Sequence, residues 1–201
     1  MIISLNDISE DTVIFISGTP CTGKTTVAIE LNDYLSDNGF NSKLIKINDF
    51  AIENDLVLGE DPDKFYKVID IDKLNDCLNG EINNFLSTDN NGSIKVLIVE
   101  GHLSHLCEGA DKMIVLRLNP DILQIRLEER NYTESKIQEN LEAEALAVCS
   151  AEAYDIYEDK TNEIDASDKS VDEIRDVIID IASDKLESPV GSIDFMEWFL
   201  K

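Results

Sequence analysis

The sequence is short of positive charge: 17 lysines and arginines stand against 42 aspartates and glutamates, for a net charge of −25. Such a chain repels the phosphate backbone, so direct, stable nucleic-acid binding is not expected, and any RNA contact would need a local basic patch or a basic protein as intermediary. An acidic surface attracts basic partners, of which ribosomal proteins are the commonest, and it equally suits a chain that is only salt-adapted or soluble. Long apolar runs are missing too. None approaches the roughly 20 residues that span a bilayer, so no membrane association is expected. The leading MIISLNDISED is acidic where a secretory signal would be basic, which points to a cytoplasmic protein. The four cysteines, Cys21, Cys77, Cys107 and Cys149, never pair as CxxC, which argues against disulfides and a zinc cluster. Neither an internal repeat nor a low-complexity segment occurs.

What is present is an alternation of apolar strands with amphipathic helices. TVIFIS at residues 12–17 reads as a buried strand, and Val27, Leu31, Tyr34 and Leu35 fall on one face of a helix that stops at Gly39. A second strand, Lys43–Ile47, is followed by Asn48–Asp49 as the cap of a short helix. Residues 55–70 are polar, with Gly59 and Pro62, and read as a mobile connection. Asp72 is expected to cap a helix through Leu74, Leu78, Ile82 and Phe85. Strands follow at 95–100 and 112–118, and Pro120 opens the next helix. Asn131–Thr133 interrupts that helix, and one long helix is expected from about Glu134 to Lys160. EIDAS is a short fifth strand, and Ser170 caps a last helix. Such an alternation predicts one α/β domain at 1–186, a parallel sheet covered by helices on both faces, and an aromatic tail at 187–201.

Between the first strand and the first helix lies Gly18-Thr-Pro-Cys-Thr-Gly23-Lys24-Thr25, which matches G-x-x-x-x-G-K-[ST] at every fixed position. The spacing follows from the chemistry. A loop that wraps a polyphosphate with backbone N–H groups needs glycine where a Cβ would block the approach, and the helix start adds its dipole. Lys24 reaches the β and γ phosphates, the Thr25 hydroxyl completes the shell of a Mg²⁺ ion, and Thr26 lies near the α phosphate. The reading is an ATP site on Gly18–Thr26, with Cys21 placed beside a phosphate.

Such a loop needs an acid at the end of a neighbouring strand to hold Mg²⁺, and Glu100 ends VLIVE. It could also be a solvent-facing strand end. His102 follows and could orient an attacking water or relay a proton; His105 reads as structural. Arg126 and Arg130, four apart on one helix face, suit a short lid that neutralises the transferring phosphoryl group, or else ion pairs with Glu128, Glu129 or Glu134. Arg117, at a strand end, reads as structural.

ISGTPCTGKTT, the IND segment, VEGH and VLRLNPDILQIRLEERNYTESKIQENLEAE together resemble the adenylate-kinase-like NTPases of archaeal and eukaryotic small-subunit ribosome maturation. The resemblance runs over about residues 12–182. It implies a P-loop NTPase of nucleoside-monophosphate-kinase type with a five-stranded parallel sheet, an AMP-binding segment at about 48–72 and a lid at about 129–139. It implies phosphorylation of AMP by ATP, with ATPase activity as a second output. It makes Cys21, Gly23, Lys24, Thr25 and Thr26 phosphate contacts, Arg130 the lid contact and Lys169 a neighbour of the adenine. Its partner is a basic small-subunit ribosomal protein met during rRNA processing, so a monomer or a heterodimer with that protein is implied. Three positions depart from the pattern. Cys21 replaces a glycine, Glu100 stands where eukaryotic members have aspartate, and FAIENDL lacks the arginine that clamps AMP in adenylate kinases. A kinase of another small acceptor and an ATP-gated assembly factor without kinase activity stay open beside the AMP-kinase reading.

Overall fold

The computed structural model of the chain describes residues 8–60, 67–89 and 92–200. Strands β1 (Thr12–Ser17), β2 (Asn41–Lys46), β5 (Lys95–Glu100), β6 (Lys112–Arg117) and β7 (Thr161–Asp165) form one parallel sheet in the order β2-β5-β1-β6-β7. Every residue of β1 and β5 is buried, as expected for central strands covered on both faces.

The pleat sorts the core. Ile14, Ile16, Val96, Ile98, Ile114 and Leu116 face helices α1 (Lys24–Asp37), α4 (Pro120–Glu129), α5 (Glu134–Ala145) and α7 (Val171–Ala182). Val13, Phe15, Leu97, Val99, Met113 and Val115 face α2 (Ile47–Glu53), α3 (Ile71–Ser87) and α6 (Val148–Tyr157). The alternation follows from the two-residue period of a strand. All five parallel strands end on the same side, so the segments after β1, β2, β5, β6 and β7 gather at one edge, where ligands bind in open α/β sheets.

Local structure departs from the sequence reading in five places. The short second helix starts at Ile47, with Lys46 at its N-cap, so Asn48 and Asp49 lie inside it. The expected mobile connection at 55–70 contains β3 (Val57–Glu60) and β4 (Lys67–Ile69), an antiparallel pair; its central residues 61–66 lie outside the described residues. The cap of α3 is Asp70, whose carboxylate accepts from Lys73 N at 3.2 Å, and Asp72 sits in the first turn. The fifth parallel strand begins at Thr161, two residues before EIDAS. The long helix from Glu134 is broken: α5 stops at Ala145, Ala147 takes φ 56°, and α6 begins at Val148. The break has a packing cause. Leu141 belongs to one face of the sheet and Ala153 and Tyr157 to the other, and a straight helix cannot cover both. Ser170 caps α7 as expected, in a reciprocal capping box with Glu173.

The tail returns along β7. Glu163 N donates to Ser188 O (2.8 Å), Ser188 N to Asn162 Oδ1 (2.9 Å) and Gly191 N to Glu163 Oε2 (2.9 Å). Phe195 then lies 5.3 Å from the Arg117 guanidinium, and Trp198 packs on the first core face.

Candidate nucleotide site

The turn after β1 requires glycine for space at Gly18 and for backbone conformation at both Gly18 and Gly23. Gly18 has φ 135°, and a Cβ there would stand 2.4 Å from Leu116 O in the neighbouring strand. Gly23, at φ 107°, occupies the N-cap of α1 and leaves 3.7 Å between an added Cβ and Arg126 Nη1. Cys21 also adopts a positive φ, 71°, a conformation L-residues take up at some strain. A glycine at this position would remove that strain.

Lys24 opens α1 and folds back over the loop, donating to Gly18 O and Thr19 O at 2.8 Å each. Burial pushes its pKa down, against the opposing pull of Glu100, Glu144 and two cysteines. Thr25 Oγ1 lies 3.2 Å from both carboxylate oxygens of Glu100, and Thr26 is exposed beside it. Glu100 is buried at the end of β5. Its pKa is raised by that burial, with the Thr25 hydrogen bond and the Lys24 charge opposing. A hydroxyl and a carboxylate converging from two elements form a hard oxygen donor set, which fits Mg²⁺.

His102 follows two residues after Glu100. The residue is exposed, yet desolvation by the protein atoms around it, aided by Lys24 and His105, pushes its pKa down to about 4. It is a neutral imidazole at ordinary pH. His105 is buried between Ser17 Oγ (2.7 Å) and Glu152 Oε2 (2.9 Å), the structural role expected of it. Its pKa too is lowered by burial, against the pull of Glu152.

Arg126 reaches across from α4 to the loop, donating to Cys21 O at 3.3 Å and Thr22 O at 3.4 Å. Arg130 caps the C-terminus of α4 in the exposed turn before α5, and its charge acts on Tyr132, which also senses Cys21. Neither arginine makes a salt bridge among the described residues, so the alternative of ion pairs with Glu128, Glu129 or Glu134 does not hold there. Lys169 donates to Asp165 O (3.0 Å) in the loop before α7, two strands away from the phosphate loop on the same edge of the sheet.

Sequence reasoning missed what lies beneath the loop. The Thr19 hydroxyl donates to Glu144 of α5, and Glu144 accepts from Arg117 Nε and Leu118 N, both at 2.9 Å. Arg117 also binds Glu163 at 2.6 Å. Burial acts to lower the Arg117 pKa, and the two carboxylates more than offset it, so the net direction is upward. The signal was available: an arginine inside the apolar run MIVLRL cannot be buried alone and demands carboxylate partners.

With this geometry in view, the model of the AAA domain family matches residues 14–147. A protein of Methanothermobacter thermautotrophicus is 39% identical over 188 residues, spanning 94% of this chain and 99% of its own length. One of Methanococcus maripaludis is 36% identical over 186 residues, spanning 92% and 96%. Both carry the name "Putative adenylate kinase". The solved structure of an uncharacterized protein from Eubacterium ventriosum aligns with a TM-score of 0.52 at 15% identity, covering 87% of this chain and 99% of that one, a likeness of fold alone.

Proposed function

The chain belongs to this AAA domain family, together with its archaeal relatives, and from that premise we propose that it is an adenylate kinase, forming two ADP from ATP and AMP. The observation that carries the reading is the convergence of Lys24, Thr25 and Glu100 at the end of β1 and β5, with Arg126 laid over the same loop. Backbone N–H groups from Gly18 to Thr26 cradle the phosphates of ATP, and Lys24 leaves the Gly18 and Thr19 carbonyls for the β and γ oxygens. Cys21 lines the phosphates and Thr26 lies near the α phosphate. Thr25 and Glu100 would hold Mg²⁺, which when bound would supply positive charge against the transferring phosphoryl group.

Arg126 and Arg130 stabilise the phosphoryl group in flight, Arg130 from the lid at about 129–139. Neutral His102 orients the attacking oxygen. Lys169 lies against the adenine, and residues 48–72 receive AMP. Residues 1–186 form the kinase domain, and 187–201 the tail that binds back on it.

A second reading is favoured by one observation: residues 48–72 contain eight acids, two lysines and no arginine. Here the protein hydrolyses ATP slowly and uses it to gate a basic small-subunit ribosomal protein, as monomer or heterodimer, during rRNA maturation in the cytoplasm. The charge of −25 suits that partner and disfavours direct nucleic-acid contact. No helix among the described residues is long and apolar enough to cross a membrane.

One experiment separates the two: ADP production from Mg·ATP alone, with AMP, and with a panel of other monophosphates. Strong stimulation by AMP alone supports the kinase. Stimulation by a different monophosphate redirects the acceptor assignment. Equal rates throughout, with slow hydrolysis persisting, would sink the kinase reading in favour of the gate.

A further inference from the structure

Glu144 is an ionisable residue at 2% exposure, one residue before the end of α5. Its carboxylate gathers three donors from two other segments: the Thr19 hydroxyl in the phosphate loop, and Arg117 Nε and Leu118 N at the end of β6. Its own carbonyl accepts from Arg117 Nη2 at 2.7 Å. Thr19 is itself a node of the loop. Its carbonyl accepts from Lys24 Nζ (2.8 Å), Thr22 Oγ1 (3.0 Å) and Thr22 N (3.3 Å).

Two features separate this arrangement from an ordinary buried ion pair. The first is electrostatic. A carboxylate under a loop that takes a polyphosphate opposes anion binding by its charge, so its place there needs a compensating role. Arg117 offsets that charge, yet Glu163 shares the same guanidinium, leaving the trio one charge negative. The second is topological. Helix α5 starts at Glu134, directly after the turn bearing Arg130, and Glu144 stands at its far end. The helix thereby spans from the lid to the phosphate loop as one rigid element.

We propose that Glu144 is a positioning residue for the phosphate loop: through the Thr19 hydroxyl it fixes the turn that receives the polyphosphate and ties that turn to the helix behind the lid. The proposal rests on the nucleotide reading above. Glu144 touches no substrate; it acts through Thr19, whose carbonyl orientation sets where Lys24 is held.

The test compares Thr19→Val, which keeps the shape and removes the hydroxyl, with Thr19→Ser, which keeps the hydroxyl, in calorimetric titrations with Mg·ATP and in steady-state assays. In Thr19→Val, Glu144 keeps Arg117 and Leu118 on Oε1 while Oε2 loses the hydroxyl, so a modest fall in the apo unfolding midpoint is expected with the fold retained. The ATP dissociation constant and the KM for ATP should rise about tenfold, while the KM for the acceptor stays put. Thr19→Ser should bind ATP to within about threefold of the wild type. A third variant, Glu144→Gln, sets position against charge: removing a negative charge by itself predicts tighter ATP binding, whereas loss of the anchoring carboxylate predicts weaker binding.

Wild-type affinity in Thr19→Val, failure of Thr19→Ser to restore it, or tighter binding in a folded Glu144→Gln would each overturn the proposal while leaving the nucleotide site standing. A wild-type protein that does not bind Mg·ATP would bring down the nucleotide reading and this proposal together.

Discussion

The loop from Gly18 to Thr26 and the described parts of the segment from Asn48 to Asp72 are held in opposite ways. The loop is anchored from below by Thr19, Glu144 and Arg117, from the side by Arg126 and from behind by Leu116 O. The second segment has a seven-residue helix secured by Ile47 and Ala51, then a two-stranded hairpin with Leu58 at 65% exposure and Val68 at 40%. One half of the site is preorganised by buried charge and tight backbone contact. The other rests on apolar contacts, with Ala51 and Leu56 buried and Phe50, Ile69 and Ile71 packed beside them. A donor nucleotide whose phosphates must be gripped in one geometry calls for the first. Short strands that leave apolar residues such as Leu58 exposed have the lower local stability.

The contrast predicts a gradient of mutational effects. Arg117→Met should be the most damaging, because it strands Glu144 and Glu163 as buried carboxylates; a loss of about 3–5 kcal/mol in urea-unfolding stability is expected. Lys24→Ala should leave the fold intact and lower kcat/KM by about 10²–10³-fold, measured as ADP formation. Retained phosphoryl transfer would undo the assignment of the loop. His102→Ala should lower turnover more than it weakens ATP binding, and an unchanged kcat would return the residue to a structural role. Leu58→Ser, in the hairpin, should alter stability by less than about 0.5 kcal/mol. A large effect there would mean that the β3–β4 pair is as tightly built as the loop, and would erase the contrast.

Acid offers a separate handle on the same edge of the site. Both histidines have folded pKa values below 6.5, with His102 near 4. As pH falls below 6.5, the unfolded chain takes up protons that the folded chain refuses, so stability falls with pH across that window until His102 itself protonates. His102 should therefore show no titration near 6.5, and an NMR-followed imidazole titration of the free protein with its midpoint there would show that His102 is not held neutral.

Much of the donor half could be read directly from the chain, because it is written in local rules. An apolar run, two glycines, a lysine and a helix start sit within fourteen residues, and Glu100 ends a strand of the right character. The split of α5 from α6 was not legible. AEALAVC contains no breaker and local propensity favours one continuous helix; the bend at Ala147 arises only because the chain must pass from one face of the sheet to the other. The β3–β4 pair escaped notice for a different reason. Its strands are four and three residues long, with Gly59 inside the first, too brief for alternation to show. Arg117, in contrast, was placed correctly as structural, while its partners Glu144 and Glu163 lie 27 and 46 residues away and no spacing rule links them.

The return of residues 188–191 along β7 bears on how the protein behaves in a crowd. β7 is an outer strand, and an outer strand with open N–H and C=O groups is a template for pairing with another molecule. Ser188 occupies the Glu163 amide and carbonyl, and Asn162 bridges to Pro189, whose ring offers no N–H to a newcomer. The chain thus seals its own sheet border with a proline-bearing strip. A version ending at Glu187 would bare that border and self-associate into larger species as its concentration rises.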